Sequence, residues 1–220
     1  TDKRGRVDMD DLKSKINDNV AGMMLTQPNT LGLFEDKISE ISDLIHGVDG
    51  IMYMDGANLN ALIGLSRPAD MGFDITHINL HKTFSTPHGG GGPGSGPIGV
   101  VDKLKDMLPY PMARKKDDKY FWDLDIKNSI GKIHSYNGNF GILVRAFVYI
   151  KMLGEEGVKS MTKHAILNAN YIKKLLSKVY EVPFSDGTLH EFVISGVNQK
   201  NKGAKALDIA KSLLDYGFYA

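Results

Sequence analysis

The sequence predicts an α/β fold in which a sheet of mostly parallel strands is flanked by helices. Short apolar runs alternate with segments of helical periodicity, and the connections between them are short. Polar residues follow the apolar runs directly. Strand, helix and strand in this order are typical of parallel sheets, which bind ligands at the carboxyl ends of their strands. The 220 residues suffice for one large domain and part of another.

The first half of the chain holds the predicted sheet. Apolar runs predict strands at 20–25, 51–54 and 73–78. Apolar residues spaced three and four apart predict helices at 7–17, 35–46 and 59–65. Gly47 follows the second of these helices and is expected to end it.

The second half has a different character. The proline-rich, basic segment 108–120 predicts an exposed loop, and the segment 191–195 predicts a strand. Helical periodicity covers 138–153, 158–179 and 204–216. We therefore expect residues 1–155 to be the C-terminal part of a large domain and 156–220 to begin a small, truncated α+β domain.

Composition excludes several classes of function. The formal net charge is +1, so we expect neither nucleic acid nor a membrane surface as a partner. No apolar run approaches the roughly 20 residues of a membrane helix. The chain has no cysteine, which fits a reducing cytoplasm, or the mitochondrial matrix if the source is eukaryotic. No set of His, Asp and Glu has metal-ligand spacing, so no metal site is predicted. Because the chain starts at Thr1 and stops after a helical pattern, we expect a piece of a longer protein.

Lys82 is the candidate nucleophile. It follows an apolar strand and precedes a glycine-rich loop, whereas most lysines are solvated surface charges. Between Leu80 and Phe84 we expect it to be partly desolvated, which favours the neutral amine that forms Schiff bases with aldehydes. Asp55 ends the preceding strand and could face the ring nitrogen of such an aldehyde cofactor, or simply cap a turn. The pair points to pyridoxal phosphate chemistry.

Other residues of this region are weaker candidates. Thr26 ends a strand, so its hydroxyl could bond a cofactor oxygen or merely open a loop. His81 could contact a phosphate or the cofactor ring, and His77 is expected to be a core histidine. The run 94–99 (GSGPIG) fits the dinucleotide fingerprint formally, but prolines interrupt the run and a strand-like segment follows it. A close-packed loop is the better interpretation.

Several motifs resemble one enzyme family. The segment 52–100, with NLHKTF and PHGGGGPG, is similar to the pyridoxal-phosphate P-protein of the glycine cleavage system. The segments TQPNTLGLFE, SYNGNFGILVRA and LHEFVIS also resemble that family. The resemblance implies a fold-type I, aminotransferase-like architecture and a position in a second subunit or a carboxyl half.

The resemblance also implies roles and partners. Lys82 would carry the cofactor, Asp55 would meet the ring nitrogen, Ala57 would pack on the ring, and His81 would lie near the phosphate. The reaction would be decarboxylation of glycine, with transfer of the aminomethyl group to the lipoyl arm of the H-protein. A sister P-protein subunit or half would be the partner in a homo- or hetero-oligomer, and this fragment alone would be inactive. Two alternatives stay open: another fold-type I amino-acid decarboxylase, and a non-catalytic scaffold that docks a sister subunit.

Overall fold

The main sheet has the predicted character. A computed structural model describes residues 1–91, 94–133 and 137–219. Within these residues, one sheet has the order β1-β2-β3-β4. The first three strands are parallel, and β4 runs antiparallel to β3. The strands are β1 (Gly22–Thr26), β2 (Ile51–Gly56), β3 (Ile75–Ile78) and β4 (Ile98–Val100).

The helices agree with the sequence prediction in most places. In chain order they are α1 (Met9–Lys15), α2 (Ile38–His46), α3 (Leu80–Thr83), α4 (Phe140–Leu176), α5 (Val197–Lys200) and α6 (Ala206–Asp215). The predicted helix at 59–65 is only a short 3-10 turn, Leu59–Ala61. The two helices predicted at 138–153 and 158–179 are joined in α4, which contains a non-helical residue at Gly154, with φ 61°.

One face of the sheet packs on α2. Met52 and Met54 alternate along β2 toward this face and are fully buried. They contact Ile41 and Ile45, which lie four residues apart on α2 and so point the same way. Each such buried side chain contributes about 2 kcal/mol through the hydrophobic effect. This contact fixes the plane and the register of the sheet's central strand.

The opposite face of the sheet is less covered. Met24 on β1 is 65% exposed and Ile98 on β4 is 48% exposed. Tyr53, Asp55 and His77 also lie on this face and are only partly buried. A site that uses these three side chains therefore lies on the open side of the sheet.

A second cluster positions α3. Leu80 and Phe84 pack against Ile142 and Ala146 of α4, and all four are buried. Asn139 caps the start of α4, because its side chain accepts a hydrogen bond from the backbone of Ile142. The short helix after β3 is thus held by a long helix from the second half of the chain.

The prediction of an exposed loop at 108–120 is wrong in part. Strands β5 (Met112–Lys116) and β6 (Lys119–Asp123) form an antiparallel hairpin there. Asp117 and Asp118 both have positive φ, 48° and 60°, the conformation of a two-residue hairpin turn. The sequence prediction missed the hairpin because charged residues hid its alternation, although most of its side chains are indeed exposed.

The strand predicted at 191–195 is also wrong. Within the described residues, this segment makes a single bridge, between Ser195 and Glu181. Apolar alternation alone is not enough here, because the segment has no neighbouring strand to complete a ladder. The preceding residues are anchored instead to the loop after β1, where the Leu189 N–H donates to the Gly32 carbonyl at 2.7 Å.

No helix among the described residues is both long enough and apolar enough to cross a lipid bilayer.

An ionic cluster closes the amino end of β3. Asp74 is 5% exposed and accepts hydrogen bonds from the Met52 N–H (2.9 Å) and Lys103 Nζ (2.7 Å). His46 Nε2 lies 2.7 Å from the same carboxylate. Burial works to raise the pKa of Asp74, but the contacts with Lys103, Met52 and His46 outweigh it and hold the pKa below its usual value.

This cluster makes stability depend on pH. Because the pKa of Asp74 is lower in the folded state, its contribution is present above the ordinary pKa of about 3.9 and is lost as pH falls through the folded-state pKa. We expect Asp74→Asn to lower the free energy of unfolding by about 2 kcal/mol at neutral pH and to flatten its acid dependence. Urea unfolding measured from pH 3 to pH 7 checks both effects. Asp106→Asn, at an exposed carboxylate nearby, is the control, and equal effects of the two substitutions would contradict the role of the cluster.

Candidate active site

Three side chains form a row at the carboxyl ends of the parallel strands. Thr26 pairs with Asp55, and Asp55 pairs with His77, across β1, β2 and β3. Paired residues of neighbouring strands project to the same face of a sheet. The sequence places Thr26 and Asp55 at strand ends, and the register brings them side by side.

The Asp55 carboxylate is held from two directions. Its Oδ1 accepts a hydrogen bond from the Ala57 N–H at 2.9 Å, the geometry of an Asx turn. His77 Nε2 lies 3.4 Å from the same oxygen, and the Asp55 side chain is 31% exposed. The turn-capping role and the ligand-binding role considered for Asp55 are therefore compatible, since no hydrogen bond to Oδ2 occurs within the described ranges.

His77 is not the core histidine that the sequence suggested. Its side chain is 24% exposed and lies on the open face of the sheet. The Tyr53 hydroxyl contacts its Nδ1 at 3.0 Å. The prediction failed because an alternating strand reveals that two faces exist, but not which face is covered.

Gly56 brings β2 and β3 unusually close at this row. A Cβ built at Gly56 would lie 1.9 Å from the His77 carbonyl oxygen, a distance that no side chain tolerates. The glycine therefore allows the backbone after Asp55 to contact the backbone of its register partner.

Lys82 lies on α3, four positions beyond the last residue of β3. Its side chain is exposed in this chain, so the expected desolvation is not found here. Leu80 and Phe84, which were expected to shield it, are themselves buried against α4. The packing of α3 fixes the backbone position of Lys82 but does not bury its amine.

His81 presents an unpartnered atom next to this lysine. Its Nδ1 is buried and has no hydrogen-bond partner among the described residues. Its ring packs edge-to-face against His88, with 4.6 Å between the ring centroids. Burial lowers the pKa of His81, and nearby His88 and Lys82 lower it further. A neutral imidazole with an unused nitrogen can accept or donate one hydrogen bond to a bound group.

Glu191 is a carboxylate within electrostatic range of Lys82 that the sequence prediction missed. Its backbone lies against Gly32, where an added Cβ would come within 1.8 Å of the Glu191 carbonyl oxygen. Burial raises the pKa of Glu191, and the positive charge of Lys82 counteracts the shift. The segment LHEFVIS carried a family resemblance, but nothing in its pattern indicated that it lies within electrostatic range of the lysine.

Parts of two motifs lie outside the described residues: Gly92 and Pro93 of the glycine-rich run, and His134, Ser135 and Tyr136 around the start of SYNGNFGILVRA. In the part of the chain that is described, no group of three or more His, Asp or Glu side chains could hold a metal ion.

Two family models match this chain. The family model described as "Glycine cleavage system P-protein" matches residues 4–120, and "Glycine dehydrogenase, C-terminal domain" matches residues 161–220. The chain belongs to the glycine cleavage system P-protein family.

Relatives of this P-protein chain extend the match to its whole length. It is 55% identical over 219 residues to the "Probable glycine dehydrogenase (decarboxylating) subunit 2" of Staphylococcus aureus strain USA300 / TCH1516. A relative from strain JH9 with the same description is also 55% identical. The match covers 100% of this chain and 45% of each relative, so the chain spans slightly less than half of their length.

Solved structures confirm the expected fold class. A crystal structure of glycine decarboxylase (P-protein) of the glycine cleavage system, in inhibitor-bound form, superposes with a TM-score of 0.78 at 20% identity. That likeness covers 93% of this chain and 48% of the other. The apo structure of cysteine desulfurase from Thermococcus onnurineus NA1 gives a TM-score of 0.71 at 14% identity, covering 100% of this chain and 53% of the other.

The residues present fit pyridoxal phosphate. The buried, unpartnered Nδ1 of His81 and the open Oδ2 side of Asp55 offer polar contacts that no described residue uses. Lys82 supplies an exposed amine in the same P-protein segment. An aldehyde cofactor with a basic ring nitrogen and a phosphate needs these three kinds of group.

The close approach at Gly56 can be tested directly. We expect Gly56→Ala to lower the free energy of unfolding by about 2–3 kcal/mol, because the new methyl group would overlap the His77 carbonyl and separate β2 from β3. Gly99→Ala is the matched control on β4, where an added Cβ would make an ordinary 3.6 Å contact with Thr76. Chemical unfolding of both variants measures the difference, and equal stability would show that the strands are not packed this closely.

Proposed function

We propose that the full-length protein is a pyridoxal-phosphate-dependent glycine dehydrogenase (decarboxylating), and that this chain supplies its cofactor-binding lysine and acid. The observation that carries the proposal is the placement of Asp55 at the end of β2 and of Lys82 just after β3, in a chain of the P-protein family. The 55% identity to named subunits supports the same reaction.

Five residues would hold the cofactor. The Lys82 amine would bind it covalently, Asp55 would meet its ring nitrogen, and Ala57, directly after the β2 terminus, would pack on the ring. His81 would contact the phosphate through its unpartnered Nδ1, and Thr26 would bond a further cofactor oxygen. When bound, pyridoxal phosphate withdraws electrons from the bond between the glycine α-carbon and its carboxylate, so that carbon dioxide can leave.

Asp55 serves this chemistry through its charge. A carboxylate beside the ring nitrogen keeps that nitrogen protonated, which increases the electron demand of the ring. The Asx turn to Ala57 holds the carboxylate at the strand end before any ligand arrives. Such preorganisation avoids the cost of reorienting the acid during the reaction.

The partners of the proposed enzyme follow from its family. Glycine is the substrate, and the lipoyl arm of the H-protein accepts the aminomethyl group on one sulfur while its disulfide is reduced. A sister subunit or half of the P-protein completes the assembly. The bacterial relatives support a cytoplasmic location.

The domain division is also a proposal. We assign residues 1–155 to the large cofactor-binding domain and 156–220 to the start of the small domain. Gly154 supports this boundary, because its φ of 61° interrupts α4 at that point. The separate matches of the two family models, to 4–120 and 161–220, are compatible with the same division.

The lysine assignment is tested in the full-length protein. We expect Lys82→Ala to abolish borohydride-trappable cofactor and to lower glycine-dependent carbon dioxide exchange by about a thousandfold or more, because no other amine would form the Schiff base. Peptide mapping after reduction identifies the modified residue, and size-exclusion chromatography checks assembly. Lys105→Ala, at another exposed lysine, should change neither measurement.

The same assays separate the competing functions. Covalent cofactor that survives in Lys82→Ala would refute the lysine assignment. Wild-type protein that traps cofactor without glycine-dependent exchange would be a decarboxylase of another amino acid. Wild-type protein that binds its sister subunit but never binds cofactor would be a scaffold.

A further inference from the structure

A chain of polar contacts leads from Tyr53 to Asp55. Tyr53 lies two residues before Asp55 on β2, so both side chains project to the same face of the sheet. His77 stands opposite Asp55 on β3. The Tyr53 hydroxyl lies 3.0 Å from His77 Nδ1, and His77 Nε2 lies 3.4 Å from Asp55 Oδ1. The histidine thus bridges a phenol and a carboxylate.

We propose that Tyr53 and His77 are positioning residues for Asp55: the Tyr53 hydroxyl donates to Nδ1 of His77, and the imidazole proton lies on Nε2, the nitrogen that is 3.4 Å from Asp55 Oδ1. The inference rests on the proposed function, because it assigns Asp55 to the cofactor ring nitrogen. Neither Tyr53 nor His77 touches the reacting atoms in this arrangement, and both act through the carboxylate.

The donors and acceptors around the ring favour this tautomer, because the Asp55 carboxylate can only accept a hydrogen bond. Nδ1 of a neutral histidine either carries a proton or accepts one hydrogen bond. Tyr53 is available as the donor, because burial and the nearby Asp55 charge raise the pKa of its phenol and keep it protonated. With Nδ1 accepting, the ring proton must be on Nε2, where the nearest acceptor is Asp55 Oδ1.

The two carboxylate oxygens of Asp55 therefore have different roles. Oδ1 receives the Ala57 N–H and faces His77, so it is engaged by the protein. Oδ2 remains for a ligand, since no described residue bonds to it. The Ala57 hydrogen bond and the His77 contact together restrict how the carboxylate can rotate. Removing a residue that orients a ligand-binding group typically lowers affinity or activity about tenfold or more.

On the neighbouring strands, few other polar groups stand beside His77. On β2 the titratable neighbours are Tyr53 and Asp55, and the register partner on β4 is Ile98, which is apolar. Thr26 completes the row on β1 without a titratable group. Among the described residues, the tautomer therefore depends on the Tyr53 hydroxyl and the Asp55 charge.

The deciding measurement is the tautomer itself. In the full-length apoprotein labelled with ¹⁵N-histidine, the ring nitrogens of His77, assigned by their loss in His77→Gln, should show the neutral form protonated at Nε2. Tyr53→Phe keeps the aromatic ring but removes the donor, so we expect the signals to shift toward a mixture of tautomers. Tyr171→Phe, at an exposed tyrosine on α4, should leave them unchanged. An unaltered spectrum in Tyr53→Phe, or protonation at Nδ1 in the wild type, would overturn the proposal.

Kinetics of the holoenzyme provide a second measurement. We expect Tyr53→Phe to lower kcat for glycine-dependent exchange by about tenfold with little change in KM, because the carboxylate acts on the reacting state. His77→Gln, which can place an amide donor near the former Nε2 position, should retain more activity than His77→Leu. Equal losses in these two variants would assign His77 a purely structural role and refute the inference.

The two measurements separate this inference from the proposed function. If Lys82→Ala refutes the lysine assignment, the ¹⁵N spectrum of the apoprotein still reports on the contact of Tyr53 with His77. If Lys82 is confirmed and the tautomer does not respond to Tyr53→Phe, the positioning role alone fails.

Discussion

The pairing of β2 with β3 is the constraint on which the candidate site depends. Parallel hydrogen bonding aligns Asp55 with His77, and Gly56 allows the two backbones to approach more closely than a side chain would permit. Because side chains alternate along a strand, a slip of one residue would turn Asp55 into the apolar layer occupied by Met52 and Met54. The buried contact between those methionines and α2 opposes such a slip. The position of the acid is therefore a consequence of packing on the other face of the same strand.

The lysine side of the site depends on a different contact. Helix α3 has only four residues, so its own hydrogen bonds contribute little and its placement comes from Leu80 and Phe84 packed against α4. Helix α4 belongs to the second half of the chain, as does Glu191, whose pKa is influenced by the charge of Lys82. Both halves of the sequence thus contribute to the surroundings of the Lys82 amine. Substitutions in α4 are expected to shift α3, and with it Lys82.

Some polar atoms of the site contact other protein groups, and others remain available to a ligand. Asp55 is held by Ala57 and contacted by His77, while a buried nitrogen of His81 has no partner among the residues that the structure describes. Buried polar atoms are usually hydrogen-bonded, so an unpartnered atom beside a candidate nucleophile is typical of a ligand site. Lys82 differs from these groups, because its side chain is exposed in this chain.

Local patterns in the sequence determined the alternation of strands and helices, the strand ends at Thr26 and Asp55, and the family motifs around Lys82. They did so because side-chain periodicity and turn residues act over a few positions along the chain. Only the tertiary structure decided which face of the sheet is open, that His77 contacts Asp55, that the segment 112–123 forms a hairpin, and that the backbone of Glu191 lies against Gly32. These features depend on contacts between residues far apart in sequence, and a linear pattern contains no information on which distant segments pack together.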